Sequence, residues 1–587
     1  MLLRRGLGAV PGCCWRAAGA VRSIPNARAI SSVCTEKIHY RSTRGGQSGL
    51  SFDEAVLQGL GTDRGLLVPE RIPKFAPGAL ESWRGFPFQD LAFEVMSLYL
   101  TREEMPAESL REIIDRSYAT FRDKAVTPVK PMVDGLHVLE LFHGPTFAFK
   151  DVALQFLGNL FEHLLKQRPG QTITVVGATS GDTGSSAIHG LRGKAGVECF
   201  IMYPEGRTSP IQEQQMITVT DPNIHNVALK GHFDDCQRVV KTLFADAEFR
   251  NTYSLAAVNS INWARILAQT VYYVYAYLQV TTPPKAGMAP PKVSFSVPTG
   301  NFGDILAGWY AKQMGLPVGE LIVATNENDI LHRFWQAGPR TRLIHPDASA
   351  CSSLHPSLHS TPLCTPLCTP LCTLLSTPLS TPLSTLHPIH TSHPCSTPPP
   401  PPGDYSKAGV KETVTPSMDI AISSNFERFL FHMGGNDTAS LASLMSNFET
   451  KGDLQPSAEL LAACRSEMSS QRVDNAKCLA TVADVHARAD GYTLDPHSAI
   501  GVAAAQLHLS ETGGSVAMTP MVSLACAHWA KFLSAVGSAL GEEKLNALPM
   551  PQELSSLEKL PSRKKVLPNS EEAVKEFIKE TIAKRKA

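Results

Sequence analysis

Between about residues 136 and 340, short apolar runs alternate with helical segments, and this alternation restricts the fold more than any other feature of the chain. HVLELF at 137–142, TITVVGA at 172–178, VECFIMY at 197–203 and VSFSVPTG at 293–300 are rich in β-branched or aromatic residues, and several end in turns of small residues. The spacing of apolar residues predicts helices over 151–166, 184–192, 235–248 and 260–279. Strands and helices in alternation call for a parallel α/β sheet covered on both faces. Ligands of such sheets gather at the carboxyl ends of the strands. The strand-to-helix turns are therefore where chemistry should be sought.

The remainder of the 587 residues divides around that unit, and the length suits two to four domains. Residues 1–37 hold Arg4, Arg5, Arg16, Arg22 and Arg28 among small residues, with no acidic residue before Glu36. This stretch reads as a mitochondrial transit peptide, or else as an upstream extension without a role. The protein is then mitochondrial in the first case and cytoplasmic in the second. Residues 38–135 read as a compact domain of their own, with a turn at Gly59, Gly61, Arg64 and Gly65 and helical spacing at 89–100 and 107–118. The α/β unit runs over 136–344. Residues 345–403 carry a four-residue TPLC/TPLS period and end in Pro398–Pro402; proline at that interval prevents a continuous helix. This is read as a disordered insertion, either a Pro-rich ligand or, the preferred reading, the product of repetitive DNA or a faulty gene model. Globular sequence resumes over 404–587 and closes on an amphipathic helix at about 570–584.

Composition excludes several partners. Lys and Arg number 54 and so do Asp and Glu, so nothing in the global charge attracts nucleic acid or an anionic membrane. No run of about eighteen apolar residues predicts a membrane span. Of the 13 cysteines, five (Cys351, Cys364, Cys368, Cys372 and Cys395) lie in the repeat segment. No zinc-like spacing occurs in the globular part, so no metal site is expected and a reducing compartment is the simplest inference.

Three turns carry chemistry. His143-Gly144-Pro145-Thr146-Phe147-Ala148-Phe149-Lys150-Asp151 leaves a predicted strand and opens a predicted helix. Apolar neighbours disfavour the ammonium of Lys150, which would help it join an aldehyde; a surface lysine closing a loop is the plainer alternative. Gly177-Ala178-Thr179-Ser180-Gly181-Asp182-Thr183-Gly184-Ser185 offers backbone N–H groups, the Ser180 and Thr183 hydroxyls and a helix N-terminus to an anion. The alternative is a tight turn with Asp182 as N-cap. Pro298-Thr299-Gly300-Asn301-Phe302-Gly303-Asp304 could cradle a phosphate, but it lacks the lysine of a nucleotide loop. Arg265, in Asn259-Ser260-Ile261-Asn262-Trp263-Ala264-Arg265, could pair with a phosphate or carboxylate, or be structural.

The runs HGPTFAFKD, GATSGDTG, NSINWARI and GNFGD, in this order and spacing, resemble the threonine synthase family, most nearly its vertebrate threonine synthase-like branch. STRGG at 42–46 and DRGLLVPE at 63–70 are similar too, and the resemblance spans about 38–340 and 403–560. It implies an α/β, PLP-dependent fold of type II (tryptophan synthase β-like) with an N-terminal threonine-synthase domain, pyridoxal 5'-phosphate as cofactor, and subunits that pair. It implies Lys150 as the Schiff-base lysine and Gly300, Asn301, Phe302, Gly303 and Asp304 as the cofactor-phosphate loop. Ser180, Asp182, Thr183, Asn262 and Arg265 would lie near a small phosphorylated amino acid. The family pattern near the C-terminus resembles S-T-A-H-P-A-K-F, with a hydroxyl at the pyridine nitrogen; here the stretch reads Ala525-Cys526-Ala527-His528-Trp529-Ala530-Lys531-Phe532. Cys526 replaces that hydroxyl with a thiol, a weak donor and acceptor. Ser185 likewise stands where a proline often follows the glycine.

On these residues the expected reaction is elimination of phosphate from O-phosphohomoserine or O-phosphothreonine to 2-oxobutyrate, ammonia and phosphate, with Lys150 as base. The altered C-terminal stretch is the reason for preferring this lyase outcome. Conversion of O-phosphohomoserine to threonine is the alternative, and a non-catalytic interaction module with the same fold is the alternative of another class.

Overall fold

The computed structural model describes Cys34 and residues 36–336, 403–516 and 519–586. The expected transit segment, up to residue 33, and the repeat insertion, but for Gly403, lie outside the described residues. The insertion's flanks nevertheless meet. Arg333 pairs with Asp404 and donates to Ser406 O at 2.8 Å, and the Phe334 ring packs edge-on against Tyr405 and Phe426. The described chain thus closes its fold across the interruption.

Two main sheets form where one was expected. The larger has six strands in the order Ser469–Arg472, Val318–Thr325, Val293–Pro298, Met521–Ala525, His137–Glu140 and Val129–Pro131. All pairings are parallel except the last. The smaller has five parallel strands, Lys565–Leu567, Ile224–Leu229, Val197–Pro204, Ile173–Ala178 and Leu255–Ala256. The chain leaves the first sheet after His137–Glu140, builds most of the second, and returns through the helix Trp263–Val280. Parallel strands are buried on both faces, and every residue of Val293–Pro298 and Met521–Ala525 is buried. Such runs look alike whichever neighbour they pair with, which is why their spacing left the two sheets unseparated.

Helices Lys150–Lys166 and Trp263–Val280 pack against each other and are buried almost all round, as expected of helices covered on every side rather than on one stripe. Phe88–Ser97 and Ala107–Tyr118 match the predicted N-terminal helices. That region shares its core with the rest of the protein: the Tyr40 and Tyr99 rings lie 5.8 and 5.6 Å from Trp263. Thr43 Oγ1 donates to Glu427 Oε1 at 2.6 Å, and the buried Arg428 guanidinium donates to Leu67 O at 2.8 Å. The two N-terminal motifs fold onto each other, with the Asp63 carboxylate accepting from Ser42 Oγ and from Gly46 and Gly65 N–H. The closing helix, Glu571–Lys586, buries Val574, Ile578 and Ile582 with Phe200 and Val239 of the smaller sheet's core.

Burial pushes His189, His432 and His528 down to about 4. An unfolded histidine takes its proton near 6.5, so between there and about 4 the unfolded chain binds more protons than the folded one. Stability is therefore expected to fall as pH drops through that window, by up to about 1.4 kcal/mol per pH unit for each histidine. Unfolding midpoints in urea between pH 7 and 4.5 measure this, and a flat profile would contradict the assignment.

Candidate active site

Lys150 is the first residue of its helix and follows the carboxyl end of the strand His137–Glu140. The intervening loop is held by the segment that leaves the neighbouring strand Met521–Ala525. Phe149 N–H donates to Cys526 O at 2.7 Å, and His528 N–H donates to Phe147 O at 3.1 Å. From the other side, the Asp151 carboxylate accepts from Thr146 N–H and Thr146 Oγ1, both at 2.7 Å. Phe147 is forced to φ +58°, a costly conformation for a residue with a side chain. The result is a lysine only 8% exposed, whose Nζ lies 5.0 Å from the Phe149 ring and 3.5 Å from Asp182 Oδ2. Burial lowers its pKa, and Lys531 and Arg265 push the same way against Asp182 and Cys526.

Asp182 comes from the smaller sheet. The strand Ile173–Ala178 ends in a turn that Thr179 organises, its Oγ1 accepting from Gly181 N–H at 2.9 Å and Gly184 N–H at 2.8 Å. Gly181 has φ +151°, and a Cβ there would lie 2.3 Å from Gln212 Oε1. The Ser180 and Thr183 side chains are half-buried, and no described group hydrogen-bonds to their hydroxyls. Asp182 is the first helical residue, so the N-cap reading is corrected, and its carboxylate faces two lysines. It accepts from Lys531 Nζ at 2.7 Å, Gln212 Nε2 at 2.8 Å and Ser417 Oγ at 3.1 Å. Burial alone would raise its pKa, but Lys531 and Lys150 overcome that and hold it far below the usual carboxylate range.

The loop over 300–304 is clamped from outside by the segment that follows the insertion. Ser423 Oγ donates to Gly300 O at 2.6 Å, and Asn425 donates to Asn301 O through its N–H at 3.0 Å and its Nδ2 at 3.1 Å. Phe302 is held at φ +64° at the start of the helix Gly303–Met314. With the carbonyls turned outward, no described acceptor takes the N–H groups of Asn301, Phe302 or Gly303. Asp304 departs from the expectation: its carboxylate turns away from the loop, accepting from Tyr272 OH at 2.6 Å and Tyr273 OH at 2.9 Å. Burial pushes it up to about 6, so Asp304 offers the loop its backbone and not its charge.

Asn262 is also corrected. Its Oδ1 caps the helix at Ala264 N–H, its Nδ2 donates to Val56 O at 2.9 Å, and the side chain is fully buried. Both ends of the fully buried amide are engaged in tying the N-terminal region to the helix. Arg265, three residues on, is different. It is 3% exposed, donates from Nη1 to Val258 O, pairs with no carboxylate among the described residues, and has an unpartnered Nε. Burial lowers it to about 10. Cys526 sits beside the Lys150 loop with its thiol pushed well up by burial, so it stays protonated.

Lys531 was missed, although it lies in the quoted C-terminal stretch. Ser417 and Gln212 were missed as well, because nothing in their local pattern marks them. All three converge on Asp182 only in the folded chain.

Profiles described as "Threonine synthase N terminus", "Pyridoxal-phosphate dependent enzyme" and "Threonine synthase, C-terminal" match residues 39–118, 133–372 and 498–578. Threonine synthase of Schizosaccharomyces pombe is 44% identical over 89% of this chain and 94% of its own length. The chain belongs to the threonine synthase family. Human threonine synthase-like 2 is a more distant relative, 31% identical over 85% of this chain and 89% of its own. The yeast threonine synthase crystal structure superposes with a TM-score of 0.76 at 39% identity, covering 93% of this chain and 99% of that one. The PLP-bound threonine synthase of Brucella melitensis gives 0.75 at 38% identity, with the same coverage. This family member is therefore a type II PLP-dependent enzyme, and pyridoxal 5'-phosphate is its cofactor. The residues present fit it: a buried lysine with a depressed pKa, a loop with free N–H groups, and a buried arginine with an unpartnered nitrogen.

Proposed function

We propose that this enzyme is a threonine synthase, converting O-phosphohomoserine and water to threonine and phosphate. The observation that carries the proposal is the level of identity to fungal threonine synthase across nearly the whole of both chains. It supports threonine formation over the phosphate-lyase outcome expected from the C-terminal stretch. The non-catalytic reading is not retained, since the family's lysine, small-residue turn and loop are all present.

Lys150 would hold the cofactor's aldehyde carbon, the N–H groups of Asn301, Phe302 and Gly303 its phosphate, and Cys526 would stand at its ring nitrogen. When bound, pyridoxal phosphate supplies the electron sink that makes removal of an α-proton feasible. The Lys150 amine, whose charged form burial disfavours, would take that proton. The Ser180 and Thr183 hydroxyls and the N-terminus of the helix Asp182–Leu191 would receive the phosphate leaving Cγ. Arg265 supplies the unpaired positive charge that a phosphate or carboxylate of the substrate requires. The Asp182 carboxylate, still ionised, would stabilise the Lys150 ammonium so formed, and Lys150 would return that proton to the substrate. Cys526 is the one observation favouring the lyase outcome, in which phosphate loss ends in 2-oxobutyrate and ammonia.

Purified enzyme given O-phosphohomoserine should release threonine and phosphate in equal amounts; 2-oxobutyrate without threonine would overturn the proposal. Arg265→Met should raise KM for O-phosphohomoserine by roughly ten- to a hundredfold, the value of one charge-assisted hydrogen bond, and change kcat less. Steady-state kinetics at saturating cofactor measure both.

A further inference from the structure

Two lysines share one carboxylate in this site, and only one of them is needed to hold the cofactor. Lys531 ends a single helical turn, Trp529–Lys531, just past the strand Met521–Ala525, and its side chain is fully shielded from solvent. Its Nζ donates to Asp182 Oδ1 at 2.7 Å and to Thr146 O at 2.8 Å. Thr146 belongs to the Lys150 loop, so Lys531 ties that loop to the helix that brings Asp182 from the other sheet. Gln212 Nε2 completes Oδ1 at 2.8 Å. The other oxygen, Oδ2, takes Ser417 Oγ at 3.1 Å and has Lys150 Nζ at 3.5 Å, beyond a good hydrogen bond.

We propose that Lys531 is a positioning residue for catalysis: by occupying Asp182 it keeps that carboxylate from locking Lys150 as an ammonium, so that Lys150 can take and return a proton. A buried carboxylate facing a single lysine favours the charged amine strongly, and a permanent ammonium is no base. Shared between two lysines, the same carboxylate still stabilises the Lys150 ammonium when it forms but does not hold it. The other charged or titratable groups acting on Lys150 are Arg265, which opposes its ammonium, and Cys526, whose thiol is pushed up and stays neutral. His497 acts on Asp182 from the facing helix. Its Nε2 lies 3.1 Å from Ser417 N and its Nδ1 2.9 Å from Asp495 Oδ1, a carboxylate of its own. Lys531 is thus the cation that decides how far Asp182 is neutralised.

This inference rests on Lys150 being the cofactor lysine and deepens that reading. Its test follows the visible absorbance of the cofactor-loaded enzyme across pH, with the acid limb of kcat measured in parallel. Lys531→Met should move the spectral midpoint up by at least about one pH unit and carry the acid limb of kcat with it. Lys531→Arg keeps the charge and should restore both. A folded Lys531→Met with an unmoved midpoint, or an Arg variant that fails to restore it, overturns the proposal. Should Lys531→Met not fold, Lys531→Gln takes its place, since its amide can still donate toward Asp182 Oδ1 and Thr146 O but carries no charge. It too should move the midpoint up, and an unmoved midpoint would overturn the proposal. Failure of the underlying reading looks different, since borohydride would then fix no cofactor on Lys150 in the wild type.

Discussion

Lys150→Ala is expected to lower kcat at least about a thousandfold while leaving the fold intact. General base catalysis alone contributes about 10²- to 10⁴-fold, and the same substitution removes the group that would hold the cofactor. The fold should survive because Lys531 still pairs with Asp182 at 2.7 Å and the lost side chain faces the site. Its backbone partners, Thr146 with Asp151 and Phe149 with Cys526, do not depend on the lysine tip. The measurement pairs steady-state turnover of O-phosphohomoserine with mass analysis after borohydride reduction. Wild type should carry the cofactor on the peptide that contains residue 150, and the variant should carry none. Turnover within tenfold of wild type would rule Lys150 out as the base.

Asp182→Asn should cost about 3 to 5 kcal/mol of folding stability, more than any other single substitution considered for the site, since it leaves a buried lysine without its counter-charge. Asn can still accept one hydrogen bond from Lys531, which places the effect toward the lower end. The sign with pH follows from the direction of the shift. Asp182 is held far below its unfolded value near 3.9, so its contribution is fully present above that value and is lost as pH falls through its folded one. Wild type and variant should therefore differ by a constant amount from pH 5 to 8 and converge only in strong acid. Urea unfolding at several pH values measures the difference; a loss below about 1 kcal/mol would mean that the pair contributes little.

Lys150, the Ser180–Gly184 turn and the 300–303 loop were legible because each is a local device. A strand, a few small residues and a helix start suffice to place an amine, hydroxyls or N–H groups at the end of a sheet, and all of that is written in consecutive residues. Asp304 and Asn262 sat in the same motifs and were misplaced for a reason that no motif contains. Whether a polar side chain faces the ligand or the core depends on what lies behind it, and here Tyr272, Tyr273 and Val56 lie behind. The clamp on the phosphate loop was hidden too, because Ser423 and Asn425 follow an interruption of about sixty residues.

Lys150 as a buried amine at a strand end, and the family to which the chain belongs, were determined by the sequence alone, since both depend on local order and spacing. That order could not say that Asp182 answers to two lysines. Lys150 lies 32 residues before Asp182 and Lys531 lies 349 after it. Two separate sheets must dock before the three charges meet. Only that docking removes water from between them, and without water their mutual distances decide which amine carries the proton.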